Sequence, residues 1–294
     1  MLCRAAGSRP QMLLVGSGSV PRIALHVTSD GTLFVGKEQA KRRPSQNRDK
    51  KVDPSTVWLF GLHAVRDALT NPSRKSLRLL VTQNALQRLG PEVVANAPEP
   101  EVLDARRFKA PLDPNSVHQG AALEVEPLVW GSVSEICAPH GAAPLVLLLD
   151  RVTDPHNIGA VLRSAEVFGA RAVIAPRRHS APETGALAKA ASGALERQPY
   201  LRVPNLARAM LSLKEMGYVT VGMAGEADQS LPDALAGIGK APLAIALGAE
   251  GPGLRQLTRE SCDHLAAVQS VGEFGSLNVS NAAAVALYAA AGRS

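Results

Sequence analysis

The second half of the sequence repeats one hydrophobic pattern, in which a short apolar run is followed by a helix-length amphipathic stretch and then by another apolar run. Continuous apolar runs of strand length, separated in this way, are typical of parallel strands that are covered on both faces. The pattern therefore predicts an α/β domain built on a parallel sheet over residues 144–294. The runs are residues 145–149, 172–175, 218–223, 243–247 and 265–268.

Two stretches in this half have the boundaries of helices. Apolar residues recur at helical spacing between Asn157 and Gly169, so we predict a helix that Asn157 caps and Gly169 ends. The aliphatic residues 282–291 predict a further helix near the end of the chain.

A smaller α/β unit is predicted ahead of this domain, over residues 57–128. Residues 77–81 and 121–125 have the composition of strands, and residues 62–69 have apolar side chains at helical spacing. Residues 129–143 contain two glycines and a proline, which is typical of a connection between domains. We therefore predict two domains joined by a linker over 129–143.

The positive charge of the chain is concentrated at its beginning. Residues 1–51 hold ten of the 32 Lys and Arg but three of the 26 Asp and Glu, so this segment carries +7 and the rest of the chain −1. Residues 1–56 are therefore predicted to be a basic tail without fixed structure. Its Lys41, Arg42 and Arg43 could contact RNA phosphates, or the tail could be a passive solvated linker.

Several classes of protein are excluded by what the sequence lacks. No apolar stretch approaches the ~20 residues that span a bilayer, so we expect no membrane segment. Cys3, Cys137 and Cys262 are far apart and form no CxxC pair, which favours a reducing, cytoplasmic compartment. The absence of HExxH and HxxxH spacing argues against a metal site. The α/β region also lacks the glycine patterns of Rossmann and P-loop nucleotide sites.

Three polar clusters remain as candidates for chemistry. The first is residues 154–157 (DPHN), which lead into the helix that carries Arg163; the second is the glycine-rich loop around Glu250; the third contains Ser276, Asn278 and Ser280. Each has an ordinary structural explanation: an arginine that reaches solvent, a plain turn, and helix capping. Their order and spacing are more informative than any one of them.

These clusters carry a family resemblance. Residues 157–165 (NIGAVLRSA), 248–251 (GAEG) and 276–280 (SLNVS) resemble, in order and spacing, the three signature motifs of the SpoU (TrmH-type) RNA ribose 2′-O-methyltransferases of the SPOUT superfamily. The resemblance extends from about residue 58 to the end of the chain. Further segments are similar to the bacterial members that methylate a guanosine in 23S rRNA, namely residues 61–65, 117–120, 152–157, 224–228 and 257–260.

The resemblance implies a fold, a cofactor and partners. The fold would be a C-terminal SPOUT-type parallel-sheet domain with a trefoil knot, preceded by a small α/β RNA-binding domain similar to ribosomal protein L30e. The cofactor would be S-adenosyl-L-methionine, bordered by Gly248, Val268 and Leu277. The partners would be RNA, with 23S rRNA favoured, and a second copy of the chain in a homodimer. The reaction would need no metal.

The resemblance also implies roles for five residues. In the family, the arginine at the position of Arg163 is proposed to take the proton from the ribose hydroxyl. An unperturbed arginine has a pKa above ~12, so we expect Arg163 instead to orient the adjacent phosphate and stabilise developing negative charge. Glu250 would fix Arg163 or a loop backbone, and Asn157 would position the first motif or the ribose. Ser276 and Asn278 would shape the acceptor and cofactor site.

Alternatives to this function stay open from the sequence. A noncatalytic RNA-binding or ribosome-assembly protein could use the same scaffold, and the substrate could be tRNA. An unrelated nucleotide-dependent α/β enzyme is disfavoured by the missing phosphate-binding motifs. The sequence leaves the target nucleotide and the dimer geometry undetermined.

Overall fold

A computed structural model describes residues 24–27, 33–36, 55–113, 116–141, 143–269 and 277–293. The chain divides after Val52 into two compact units, which are considered separately. In the first, β1 (Ala24–Val27) and β2 (Leu33–Gly36) form a two-stranded antiparallel sheet, with Ala24 opposite Gly36.

The prediction of a structureless tail over residues 1–56 misses these two strands. Their sequences, ALHV and LFVG, are mostly apolar. The prediction was based on the net charge of the whole segment, which does not show these two short runs with strand composition. Lys41, Arg42 and Arg43 lie outside the described residues, so their proposed contact with phosphate stays a prediction.

The second unit begins with a four-stranded mixed sheet. Its strands lie in the order β3-β6-β4-β5, with β6 antiparallel to both β3 and β4, and β5 parallel to β4. The predicted strands at 77–81 and 121–125 and the helix at 62–69 are present. The elements are β3 (Val57–Phe60), α1 (Leu62–Thr70), β4 (Ser76–Val81), α2 (Gln83–Leu89), α3 (Pro91–Val94), β5 (Pro100–Val102), a 3₁₀ turn (Ala105–Arg107) and β6 (Ala121–Val125).

A six-stranded sheet follows, and all of its strands are parallel. Their order is β12-β10-β11-β7-β8-β9. The elements are α4 (Val133–Ile136), β7 (Leu145–Asp150), α5 (Pro155–Val167), β8 (Ala172–Pro176), α6 (Gly185–Ala191), a 3₁₀ turn (Ala194–Glu196), β9 (Tyr200–Val203), α7 (Leu206–Glu215), β10 (Val219–Met223), α8 (Leu231–Ile238), β11 (Leu243–Gly248), α9 (Gln256–Glu260), β12 (His264–Ala266) and α10 (Val279–Ala291).

Both faces of the six-stranded sheet are buried, which confirms the predicted α/β class. In β7, Leu147 belongs to the core that includes residues of α5, α6, α8 and α10, whereas Leu148 belongs to the core that includes residues of α7. Successive side chains of a strand point to opposite faces, so the continuous apolar run is explained by helices on both sides. No helix in the described ranges is long and apolar enough to cross a bilayer.

The helix predicted from Asn157 begins two residues earlier. Asp154 is the N-cap, and its carboxylate accepts a hydrogen bond from the backbone N–H of His156, while Pro155 occupies the first turn. Proline suits that position because it lacks the N–H that would remain unpaired there. The prediction that Asn157 caps the helix is therefore wrong, and its side chain is available for other contacts.

The segment predicted as a linker, residues 129–143, is tied to the six-stranded sheet. It contains α4, whose N-cap Ser132 forms a reciprocal capping box with Glu135. Cys137 is fully buried, and its carbonyl oxygen accepts a hydrogen bond from the Tyr218 hydroxyl at 2.8 Å. The two-domain boundaries stay a prediction, since one compact unit includes both sheets.

A buried ion cluster joins the two sheets. The guanidinium of Arg74, with a fully buried side chain, donates to both carboxylate oxygens of Glu196 at 2.7 and 2.9 Å and to one oxygen of Glu183. Glu196 also accepts from the Asn71 side-chain amide, and Glu183 from the backbone N–H of Leu128. Burial raises the pKa of Glu183 above its ordinary value, although Arg74 opposes that shift. One cation thus holds two carboxylates at the junction.

Replacing Arg74 with methionine should lower the free energy of unfolding by about 3–5 kcal/mol, because two buried carboxylates lose their cation. Urea denaturation followed by circular dichroism measures this. The matched control is Lys75→Met, which removes the adjacent but solvent-exposed cation paired with Glu126 and should change stability little. If the two substitutions lowered the free energy of unfolding equally, burial of the Arg74 ion cluster would not be the source of its stabilising effect.

Candidate functional site

The polar clusters of the sequence meet at one edge of the six-stranded sheet. Because all six strands run in the same direction, the loops that follow them emerge at a common carboxyl edge. Asn157 lies in the first turn of α5, after β7; Glu250 lies in the loop after β11; Asn278 is the N-cap of α10.

A hydrogen-bonded triangle connects these three residues. One carboxylate oxygen of Glu250, Oε1, accepts from Asn157 Nδ2 at 2.9 Å and from Asn278 Nδ2 at 2.6 Å. Asn278 Nδ2 also lies 3.1 Å from Asn157 Oδ1. The amide oxygen of Asn278 accepts from the backbone N–H and the hydroxyl of Ser280 at 2.9 and 2.5 Å. Residues far apart in the sequence are thereby fixed in one arrangement, called the amide–carboxylate triangle below.

Arg163 is not part of this triangle. It lies on α5, six residues beyond Asn157, and its side chain is exposed. Within the described ranges its guanidinium forms no ion pair or hydrogen bond, and Glu250 accepts from the two amides. The expected role of Glu250, to fix Arg163 or a loop backbone, stays a prediction. An exposed guanidinium without a protein partner retains all its donors for a ligand.

The helix predicted over residues 282–291 begins at Val279, which accounts for the position of Asn278. Its side chain caps the helix and also reaches Glu250, so the capping and functional interpretations are both compatible with the geometry. Ser276 lies outside the described residues, and its predicted role stays a prediction.

A cavity of about 350 Å³ opens beside the triangle. The three residues predicted to border a cofactor, Gly248, Val268 and Leu277, all line it. Among the described residues, its lining contains two carboxylates, Glu226 and Glu250, and neither Lys nor Arg. The other lining residues are Met223, Ala224, Gly225, Leu247, Ala249, Gly251, Pro252, Gly253, Leu254, Val279 and Ala282. Such a lining suits a ligand with apolar surface and positive charge better than a phosphorylated nucleotide.

Close backbone approach shapes one wall of the cavity. A Cβ atom on Gly248 would lie 2.0 Å from the carbonyl carbon of Gly253, and the backbone N–H of Gly253 donates to the carbonyl of Ala249 at 2.9 Å. Gly253 has a φ of 66°, in the left-handed region that favours glycine. The loop therefore folds back on the end of β11, and the backbone of the loop lines the cavity.

Asp150 is an additional site residue that the sequence reasoning missed. It ends β7 opposite Gly248 of β11, and its fully buried carboxylate accepts from the backbone N–H of Arg255 at 2.9 Å and from Arg255 Nε at 2.6 Å. This pair anchors the far end of the glycine-rich loop. A single charged residue directly after five apolar positions was the available signal, because a buried charge requires a partner.

Gly159, inside the first motif, has a packing role. A Cβ atom there would lie 2.5 Å from the Cβ of Ala190 and 2.8 Å from the backbone of α6. The glycine thus lets α5 and α6 pack closely and holds the first turn of α5 in place.

The chemistry available at this edge is binding and orientation. In the part of the chain that the structure describes, no group of three or more His, Cys, Asp or Glu side chains is arranged to hold a metal ion. Burial raises the pKa of both Cys137 and Cys262 to about 11, so these thiols are protonated near neutral pH and are poor nucleophiles. The site offers hydrogen-bond acceptors, two carboxylates and the exposed guanidinium of Arg163.

Comparison with known proteins gives a consistent result. The model of the SpoU rRNA Methylase family matches residues 144–288. The chain is 41% identical to the 23S rRNA (guanosine-2′-O-)-methyltransferase RlmB of Vibrio vulnificus over 251 residues, which cover 80% of this chain and 96% of the relative. It is 39% identical to the protein of the same name from Pseudomonas putida, over 79% of this chain and 94% of the relative.

Solved structures share the fold. The SpoU methyltransferase AviRb from Streptomyces viridochromogenes, in complex with AdoMet, has a TM-score of 0.69 at 24% identity and covers 84% of this chain and 93% of its own. An AdoMet-bound rRNA methyltransferase from Sinorhizobium meliloti has a TM-score of 0.66 at 20% identity, covering 80% and 87% of the two chains.

Replacing Gly248 with alanine should lower the free energy of unfolding by about 1–3 kcal/mol, because the added methyl group forces the loop away from β11. It should also increase protease cleavage within residues 249–255. Denaturant unfolding and limited proteolysis measure the two effects. Gly237→Ala is the matched control, because a Cβ there meets no atom within 4 Å and alanine favours the helix. If the loop of Gly248→Ala were as resistant to protease as that of the wild type, the close contact between Gly248 and the backbone of Gly253 would not be what holds the loop in place.

Proposed function

Because this chain belongs to the SpoU rRNA methylase family, we propose that it transfers the methyl group of S-adenosyl-L-methionine to the 2′ oxygen of a guanosine ribose in 23S rRNA. The observation that carries the proposal is the match to relatives named for this reaction over 94–96% of their length, at 39–41% identity. The arrangement of the triangle beside the cavity supports the same conclusion.

The cavity suits S-adenosyl-L-methionine. When bound, this cofactor supplies an electrophilic methyl group on a positively charged sulfonium. The apolar side chains of Val268 and Leu277 and the backbone beside Gly248 offer contacts for its neutral part, while the carboxylates in the lining favour its positive charge. Glu226 is paired with Arg259, so Glu250 is the carboxylate of the lining without a cationic partner in the described chain.

The residues of the site then act by positioning. Asn157 and Asn278 hold the Glu250 carboxylate on the side of the cavity, and the three together fix the distance between the loop after β11 and the starts of α5 and α10. Ser276, by its place in the third motif, contributes to the acceptor site. Holding reactants in attack geometry supplies up to ~7–11 kcal/mol of the barrier reduction.

Arg163 is the residue that engages the acceptor ribose and its phosphate. Its free planar fork of donors matches a phosphate and stabilises the charge that develops on the 2′ oxygen. Arginine stays protonated in proteins, which supports this role over that of a base that removes the ribose proton. The hydroxyl proton is therefore released to water as the 2′ oxygen takes the methyl group and the sulfonium carbon–sulfur bond breaks.

The finer architecture forms part of the proposal. After the edge strand β12, the chain returns to α10, which packs on α5 and against β11 in the middle of the sheet. This return is compatible with the trefoil knot expected from the family, a rare exception to unknotted folds. The four-stranded unit over 57–128 serves as the L30e-like RNA-binding domain, and the basic residues of 1–56 assist it. The free thiols of Cys137 and Cys262 are compatible with action in the cytoplasm.

The active form is a homodimer that uses an apolar patch on α5 and α10. Val167, Val285 and Tyr288 are exposed by 77%, 41% and 73%. The Tyr288 ring packs edge-on against Phe168 with centroids 6.1 Å apart, which places the exposed side chains of the two helices side by side. Neighbouring exposed apolar side chains of this size are typical of a protein interface.

The reaction is tested with purified protein, S-adenosyl-L-methionine and 23S rRNA lacking ribose methylation. Wild type should bind the cofactor in calorimetry and modify one guanosine, detected by mapping of alkaline-resistant positions.

Arg163→Ala and Arg163→Lys should both reduce kcat at least 100-fold with cofactor affinity unchanged, because an ammonium does not reproduce the planar fork (on the order of 3 kcal/mol). Arg208→Ala, an exposed arginine on α7, is the control. Wild-type turnover in Arg163→Lys would contradict the role of the fork, and absence of any methylated guanosine would contradict the function.

Placing charge in the apolar patch should produce monomers. Tyr288→Glu combined with Val167→Glu is expected to halve the mass measured by light scattering after gel filtration, because burial of two carboxylates in an apolar interface is unfavourable. Leu257→Glu changes another exposed apolar residue, which lies on α9 outside the patch, and should leave the mass unchanged. A dimer that persists in the double variant would place the interface on another surface.

A further inference from the structure

A second cavity, called the junction cavity here, lies between the two sheets. It has a volume of about 440 Å³ and shares no lining residue with the cavity beside Glu250. One wall is the segment 127–133, and the opposite wall is formed by the edge strand β9 and the loops that follow β8 and β9. Both the four-stranded unit, through Val57, and the six-stranded sheet contribute to it.

The junction cavity extends along β9 as far as the carboxyl edge of the six-stranded sheet, the edge at which the proposed reaction site lies. Its residues Arg177 and Pro204 directly follow the carboxyl ends of β8 and β9, and Glu250 follows that of β11. The sheet order β11-β7-β8-β9 puts three strand spacings, ~14 Å in total, between β11 and β9. A single RNA strand covers this distance with about four nucleotides if they are stacked, at ~3.4 Å each, and with about two if the strand is fully extended, at roughly twice that advance.

The lining of the junction cavity has the chemistry of a site for a nucleobase. Trp130 is half-buried, with part of its side chain packed against the second core. Arg202 Nη2 donates to the carbonyl oxygen of Arg177 at 2.6 Å, which holds one guanidinium along the wall. Aromatic rings and guanidinium planes are the groups on which proteins stack unpaired bases. Glu183 also lines the cavity, but its carboxylate is already engaged by Arg74 and by the backbone N–H of Leu128.

Two exposed arginines lie between the two cavities. Arg151 follows β7 and Arg178 follows β8, and neither side chain has a hydrogen bond or an ion pair to another described residue. Arg151 and His179, the residue after Arg178, both have a φ of 64°, a conformation that costs non-glycine residues ~1–3 kcal/mol and is concentrated at functional sites. The loops after β7 and β8 thus place positive charge along the carboxyl edge, although Arg151 and His179 adopt a backbone conformation that is unfavourable for non-glycine residues.

We propose that the junction cavity binds an unpaired base of the substrate RNA, two to four nucleotides from the methylated ribose, while Arg151 and Arg178 contact the phosphates in between. This inference rests on the proposed function and adds to it a second point of RNA recognition. It explains why the segment 127–133 is fixed to the six-stranded sheet: that segment supplies a wall of the cavity.

The inference is tested by abasic substitution in a short 23S rRNA hairpin that wild type methylates. An abasic nucleotide is placed at each position up to five residues on either side of the target. One position two to four nucleotides away should raise KM about tenfold or more, the usual effect of a lost base stack, with kcat and cofactor affinity within about twofold of the intact hairpin. Abasic substitution at the adjacent positions should have smaller effects.

Protein variants then locate the base. Val129→Glu puts a carboxylate at the cavity mouth, at a residue that is 94% exposed, and should raise KM for the intact hairpin to the level of the abasic one without adding to the abasic effect. Arg178→Gln should lower the slope of log affinity against log salt by about 0.7. Lys240→Gln removes one exposed charge near the start of β11, at the opposite edge, and should change neither quantity.

The possible results separate the inference from the proposed function. If wild type methylates the hairpin but no abasic position matters, or if the sensitive position is unaffected by Val129→Glu, the base is not bound in the junction cavity and the inference is overturned while the function stands. If wild type binds the cofactor but methylates no RNA, the proposed function is overturned and the inference with it.

Discussion

The arrangement of the site depends on one constraint, the common direction of six strands. Parallel pairing throughout the sheet brings every following loop to the same edge, and this is why Asn157, Glu250 and Asn278 meet although 93 residues separate the first from the second. The triangle converts that proximity into a fixed geometry. An antiparallel neighbour in the middle of the sheet would send one of the three side chains to the opposite edge.

Holding a cofactor without a phosphate cradle requires the loop itself to be rigid. Two features of the loop after β11 provide this: the contact between Gly248 and Gly253 at one end, and the buried Asp150 carboxylate that binds Arg255 at the other. Backbone groups fixed in this way can contact a ligand at little entropic cost. The rigid loop thus supplies the close backbone contacts that the glycine fingerprint supplies in dinucleotide sites.

The elements that depend on local pattern were predictable, whereas those that depend on distant partners were not. The buried run of β7 is visible in the sequence, but β5 contains Pro100 and Glu101 and has no apolar alternation to reveal it. The position of Asn157 was misjudged because Asp154 and Pro155 together make a stronger helix start. The three polar clusters of the site are visible in the sequence, but only the family resemblance joins them into one site. Nothing local to Arg74 indicates that its partners lie 109 and 122 residues later.

The distance in sequence between Arg74 and its two carboxylate partners affects when the ion cluster can form during translation. Arg74 leaves the ribosome long before Glu183 and Glu196 exist, and at 5–20 residues per second the intervening 109 residues take about 5–20 s to translate. During this interval the four-stranded sheet can fold, because its own strands are complete by Val125, but the face around Arg74 stays hydrated. The ion cluster between the two sheets therefore forms only after Glu196 has been synthesised, and until then the surface around Arg74 is exposed on the nascent chain.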